Sequence, residues 1–109
     1  MRTWDALVVG SGQAGVPLAV ALARAGRQTA LIERGPVGGT CINVGCTPTK
    51  TLVASARVAS LLSRAAEFGI EAGAARVRWE AVQEREQGVV RQFREGGERR
   101  LRDAGVTLL

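Results

Sequence analysis

The sequence predicts an α/β fold: three parallel strands in the order 3-2-1, with helices between them. Two short apolar runs, WDALVV at residues 4–9 and TALI at 29–32, read as buried strands because they are rich in β-branched and aliphatic residues and are bounded by turn formers. A helix-period segment separates them. The spacing Gly10-x-Gly12-x-x-Gly15 joins the first strand to that helix.

Trp4–Val9 is expected as the first strand, ended by Gly10. Gly12–Ala25 follows as a helix, with Val16, Leu18, Ala19, Leu22 and Ala23 on its apolar face. Pro17 falls in the first turns, where a missing N–H costs little, and Gly26 is a natural stop. Thr29–Ile32 is the second strand. Val37–Gly45 is expected as a glycine-rich loop. Thr47-Pro48 marks a helix start, with Thr47 as cap and Pro48 as first helical residue. That helix is expected to run to about Glu67, with Leu52, Ala56, Ala59 and Leu62 inward. Phe68–Ala75 reads as a turn region. Trp79–Leu101 reads as a charged helix with Val82, Val89, Val90 and Phe93 on its apolar side, frayed or broken at Gly96-Gly97. Val106–Leu109 is expected to begin a third strand.

The chain has 109 residues, which sets one domain as the expectation. Only four residues are aromatic, so the core must be aliphatic, and there is no His. Two cysteines without His do not make a structural zinc site, so no metal ligands are expected. The net charge is +5, and fourteen of the fifteen basic residues are Arg. Arg and Glu alternate through residues 80–102 without interleaved aromatics, which points to a solvated helix face rather than a nucleic-acid surface. No apolar stretch reaches membrane-spanning length and no signal peptide is visible, so a cytoplasmic chain without membrane partners is expected.

The glycine turn has a mechanical reading. Gly10 permits the turn off the strand, Gly12 lets backbone N–H groups approach a pyrophosphate, and Gly15 lets the helix pack close to the sheet. The helix N-terminus then faces the phosphates with unpaired donors. Glu33, at the end of the next strand, can accept hydrogen bonds from ribose hydroxyls and argues against a 2′-phosphate. The turn itself does not distinguish FAD from NAD.

Cys41 and Cys46 are five positions apart. In a regular helix such Cα atoms lie about 8–9 Å apart, whereas a disulfide needs about 4.4–6.8 Å. A redox pair therefore requires a break in the helix, which Gly45 permits. Cys46 precedes the Thr47-Pro48 helix start, where free N–H groups and Lys50 favour a thiolate. Such a thiolate can donate electron density to an oxidised flavin, and Cys41, further out, would exchange with substrate.

The segment Gly38-Gly-Thr-Cys-Ile-Asn-Val-Gly-Cys-Thr-Pro-Thr-Lys50 resembles the class I pyridine nucleotide–disulfide oxidoreductases, whose pattern is GGTCxNxGCxPSK. Thr49 replaces the usual Ser and keeps a hydroxyl. The continuation to Arg57 looks most like mercuric reductase-like members. The resemblance implies a partial Rossmann-like FAD-binding domain, incomplete, with residues 1–109 as its N-terminal segment and the nicotinamide-binding and dimer-interface domains absent. It implies that Gly10, Ser11, Gly12, Ala14 and Gly15 cradle the FAD pyrophosphate and that Glu33 binds the adenosine ribose. It also implies that Gly39 and Thr40 line the cofactor, that Cys46 is the flavin-facing thiol and Cys41 the interchange thiol, and that Lys50 lies near the flavin ring. The complete enzyme would use NAD(P)H, act on a small disulfide, dithiol or metal ion, and form a homodimer. The 109-residue chain alone is expected to be inactive. Two other readings stay open: a binding module without turnover, and a truncated product with no function of its own.

Overall fold

A parallel sheet of three strands, β1 (Ala6–Val9), β2 (Thr29–Ile32) and β3 (Thr107–Leu108), carries four helices: α1 (Gly15–Arg24), α2 (Gly39–Val44), α3 (Cys46–Ser63) and α4 (Trp79–Asp103). A 3₁₀ turn spans Ala65–Phe68. The computed structural model describes residues 2–109. β2 is central, with β1 and β3 on either side, so the expected order and parallel sense hold. Its ladder continues past the strand ends: Gly10 N–H donates to Ile32 O at 2.8 Å, and Glu33 N–H donates to Leu109 O at 2.9 Å. Thr29, Ala30 and Leu31 are buried, as a central strand requires.

The two βα crossovers end in the same way. At the end of α1, Gly26 N–H donates to Ala23 O and Arg27 N–H to Leu22 O; at the end of α4, Gly105 N–H donates to Arg102 O and Val106 N–H to Leu101 O. Gly26 and Gly105 have φ of +82° and +79°. This is the glycine cap in which a left-handed residue lets two N–H groups turn back onto orphan carbonyls. It stops each helix and turns the chain into the next strand.

The core is small. Val8, Val16, Ala19, Val20, Leu31, Val37, Leu101 and Val106 form one buried cluster between the sheet, α1 and the last turns of α4. Beyond it, α3 and the first turns of α4 project as an arm. The radius of gyration is 19.8 Å, against about 13 Å for a compact chain of this length. Leu62 and Ala56, expected to face inward on α3, are exposed, as are Val58 and Leu61. Phe93 is also exposed, at 55%.

Several element boundaries differ from expectation. β1 begins at Ala6 rather than Trp4, and α1 begins at Gly15 rather than Gly12. α3 ends at Ser63 instead of near Glu67, and the chain tightens into the 3₁₀ turn. α4 runs unbroken through Gly96-Gly97. Two glycines cost about 1 kcal/mol each in a helix, but tertiary contacts overrule that here. Val90 and Leu101 are buried on either side of the pair, and a Cβ on Gly97 would come within 3.3 Å of Val37 Cγ1. Gly97 thus lets α4 approach the segment that carries the site.

Candidate functional site

The glycine turn is a close approach of backbone to backbone. A Cβ on Gly15 would lie 1.9 Å from Gly10 O, so only glycine lets α1 start this near the end of β1. Gly10 has φ of +94°. Gly12 differs from both: its φ is not positive, and a Cβ there would meet nothing within 4 Å. The fold itself does not demand glycine at this position; an approaching ligand would. Ala14 stands at the N-cap position of α1, and no side chain caps that helix; Val16 N–H donates to Gly12 O at 3.4 Å and Pro17 has no N–H, which leaves the Gly15 N–H as the donor without a backbone acceptor.

Ser11 is 1% exposed and ties three segments together. Its N–H donates to Glu33 Oε2 at 3.0 Å, and its hydroxyl donates to the same oxygen. The hydroxyl oxygen accepts Gly38 N–H at 3.0 Å. Glu33 Oε1 accepts Gly35 N–H at 2.9 Å. The Ser11 hydroxyl, then the Ser11 and Gly35 N–H groups, hold the Glu33 carboxyl below its ordinary value. Glu33 therefore fixes the glycine turn to the end of β2. Its Oε1 retains a further lone pair.

After Glu33 the chain folds back over the turn. Gly38 and Gly39 have φ of +117° and +66°, and a Cβ on Gly39 would lie 2.8 Å from Gly12 Cα. The segment read as a loop from Val37 to Gly45 then contains α2, a helix of six residues that carries Thr40 and Cys41. Gly45 breaks it from α3. A Cβ on Gly45 would come 3.0 Å from Thr40 O and 3.3 Å from Cys41 Cα, so this glycine lets the chain double back onto Cys41. Cys46 is consequently the first residue of α3 rather than the residue before it, and Gly45 rather than Thr47 is the cap. Pro48 is the third helical residue, not the first. It costs no bond there, because the first intrahelical N–H of α3 is that of Thr49, which donates to Gly45 O at 3.1 Å.

Both cysteines are free, Cys41 partly buried and Cys46 exposed. Hydrogen bonding with the Cys46 side chain, then burial and the charge of Cys46, push the Cys41 thiol above its ordinary value; Lys50 works the other way. Ser11, Gly12, Cys41, Cys46 and Lys50 line one cleft of about 790 Å³, with Phe93 and Arg100 of α4 among its walls. Gly10, Ala14, Gly15, Glu33, Gly39 and Thr40 do not line it: they shape the turn behind it or sit beside it. The glycine turn and the thiol pair, 26 residues apart from Gly15 to Cys41, thus open on the same space.

Two residues of this region were missed by sequence reasoning. Asn43 Nδ2 donates to Pro36 O at 3.2 Å, to Val37 O at 3.2 Å and to Gly39 O at 2.9 Å. Its Oδ1 accepts Arg94 Nε at 3.1 Å and Nη2 at 2.8 Å. The one sequence signal was an Asn between the two cysteines; nothing marked Arg94 among fourteen arginines.

Comparison with known proteins matches residues 4–108 to a family described as pyridine nucleotide-disulphide oxidoreductase. The chain is 47% identical over 91 residues to a dihydrolipoyl dehydrogenase of Bacillus subtilis (strain 168), covering 82% of this chain and 20% of that protein. It is 38% identical over 107 residues to a dihydrolipoyl dehydrogenase of Chlamydia trachomatis, covering 98% and 23%. It is 42% identical over 82 residues to a mycothione reductase of Mycobacterium tuberculosis (strain CDC 1551 / Oshkosh), covering 75% and 17%. The chain spans about a fifth of the length of these curated relatives.

Proposed function

Because the chain belongs to the pyridine nucleotide-disulphide oxidoreductase family, we propose that it is the N-terminal segment of an FAD-binding domain and carries the thiol pair of an NAD(P)H-dependent disulfide oxidoreductase. The observation that carries this reading is the shared cleft: Gly12, whose missing Cβ the fold does not require, faces the same space as Cys41, Cys46 and Lys50. When bound, FAD supplies two-electron transfer between a nicotinamide and the thiol pair.

The chain's own residues divide the remaining work. Gly12, Gly15 and the uncapped start of α1 offer N–H groups to the pyrophosphate, while Gly10, whose own N–H donates to Ile32 O, makes the turn. Ser11 and Ala14 lie in that turn. Glu33 holds it in place and offers Oε1 to the ribose. Gly39 and Thr40 bring the chain over the turn, and Lys50, one turn into α3, adds positive charge beside the thiols. With a small disulfide as substrate, the Cys41 sulfur attacks one substrate sulfur, the substrate S–S bond breaks, and the first thiol leaves. The Cys46 sulfur then attacks Cys41 in the mixed disulfide. The second substrate thiol leaves, and the protein pair ends as a disulfide, two electrons poorer. The substrate class fits the relatives' names, one for the oxidation of a dihydrolipoyl group and the other for the reduction of mycothione. A cytoplasmic homodimer of the complete enzyme, acting on no membrane or nucleic acid, is part of this proposal; no helix among the described residues is long and apolar enough to cross a membrane. The likeness of Thr47–Arg57 to mercuric reductases makes a mercuric ion the second candidate substrate, because a soft cation binds thiolates well.

The test is titration of the purified chain with FAD, followed by quenching of flavin fluorescence. Saturable quenching that NAD does not reverse at equal concentration supports the reading. Quenching absent throughout, or lost equally to NAD, contradicts it.

A further inference from the structure

The helix that carries Cys41 has little holding it. α2 has six residues, none of them buried, and no side chain caps its start. An isolated helix of that length has no stability of its own in water. Gly38 and Gly39 before it and Gly45 after it give the backbone wide freedom. Asn43 compensates: one amide nitrogen reaches two carbonyl oxygens of the preceding loop, Pro36 and Val37, and that of Gly39 at the start of α2.

An amide can do this only in one orientation. Reversed, its oxygen would face three carbonyl oxygens. Arg94 sets the orientation from outside, since its fork donates twice to Oδ1 and a guanidinium only donates. The partner is unusual for an arginine. The only ion pair among the described residues is Arg64–Glu67, at 2.7 Å, so the charge of Arg94 is directed at a neutral amide two residues from Cys41. Arg94 lies near the middle of α4, which is anchored to the core through Leu101 and buries Val90 as well.

We propose that Arg94 is a positioning residue for the thiol pair: acting through Asn43, it locks α2 so that Cys41 stays within reach of Cys46. The inference rests on the reading of Cys41 and Cys46 as a redox pair. A locked pair forms its disulfide more readily, because less conformational freedom is lost on closure.

The test measures the thiol–disulfide equilibrium of the chain in glutathione buffers. One protein dithiol and one oxidised glutathione give one protein disulfide and two reduced glutathiones; the two cysteine thiols lose two electrons and two protons, which the glutathione sulfurs take. The fraction oxidised is read by alkylation and mass spectrometry. Arg94→Met should lower the equilibrium constant by roughly threefold to tenfold, as expected for losing part of a charge-assisted hydrogen bond. Arg94→Lys, which keeps the charge but not the fork, should fall between. In an Asn43→Ala background, Arg94→Met should change nothing further. Hydrogen exchange in residues 40–44 should quicken in Arg94→Met while that of α1 stays the same. An equilibrium constant within about twofold of the parent's in both Arg94 variants, or an equal effect with and without Asn43, overturns the inference. If the unaltered chain forms no intramolecular disulfide at any glutathione ratio, the redox-pair reading itself fails, and exchange in α2 unaffected by Arg94→Met would then refute the positioning role separately.

Discussion

Ser11 and Glu33, 22 residues apart, are joined by two hydrogen bonds to a single carboxylate oxygen, one from the Ser11 N–H at 3.0 Å and one from its hydroxyl. The same hydroxyl accepts Gly38 N–H at 3.0 Å. One small side chain therefore links the glycine turn, the end of β2 and the segment leading to the thiols. A nucleotide gripping Glu33 and the turn would be felt at Gly38, one residue before α2.

Removing that hydroxyl should be costly for its size. Ser11→Ala leaves the buried Gly38 N–H without its acceptor, and an unsatisfied buried donor costs about 1–3 kcal/mol. Urea denaturation should show a loss in that range. A loss below about 0.5 kcal/mol would mean that the link is replaced by water.

Acid should weaken the same link. The Glu33 carboxyl is held below its ordinary value by Ser11 and Gly35, so the unfolded chain binds the proton more readily than the folded one. The contribution is fully present above the unfolded value and is lost as pH falls through the lower folded value. Stability measured from neutral pH downward should fall in that window, and Glu33→Gln should flatten this part of the profile. An unchanged profile in Glu33→Gln would assign the acid dependence to other carboxylates.

The glycines of the turn separate folding from binding. Gly15→Ala puts a Cβ against Gly10 O at 1.9 Å and forces the backbone apart, so it should destabilise by about 1–3 kcal/mol or more. Gly12→Ala meets no protein atom within 4 Å. It should leave the urea midpoint nearly unchanged and weaken FAD binding by roughly tenfold or more, since the methyl would occupy the phosphate's approach. Equal FAD affinity in Gly12→Ala would show that no phosphate comes close there.

Much of this was legible in the sequence because local and global signals agree. TALI at 29–32 is apolar, bounded and central in the sheet, and its ends were read correctly. Gly26 was readable as a stop because a left-handed cap demands glycine. The family was legible from residues 38–50, and the match over residues 4–108 bears it out. The errors have a common cause. Residues 38 and 39 read as part of a loop and Gly96-Gly97 as a helix break, yet Gly39 and Gly97 are points of close approach, to Gly12 and to Val37; Gly45 breaks the helix as expected and also brings the chain against Cys41. Spacing along the chain does not reveal such contacts. Thr47-Pro48 misled in a related way, because a proline is tolerated anywhere before the first intrahelical N–H, and Gly45 had already begun the helix. The Asn43–Arg94 contact joins residues 51 apart and has no local signature.

The central claim is that Cys46 faces a flavin and Cys41 faces the substrate. The most direct measurement is the long-wavelength absorbance of the FAD-loaded protein in its two single-cysteine variants. Cys41→Ser prevents the disulfide and leaves Cys46 free at the start of α3, so a thiolate-to-flavin charge-transfer band should appear without any reductant. Cys46→Ser should show no such band, before or after reduction. A band that is absent in Cys41→Ser and present in Cys46→Ser would reverse the two roles and contradict this account of the site.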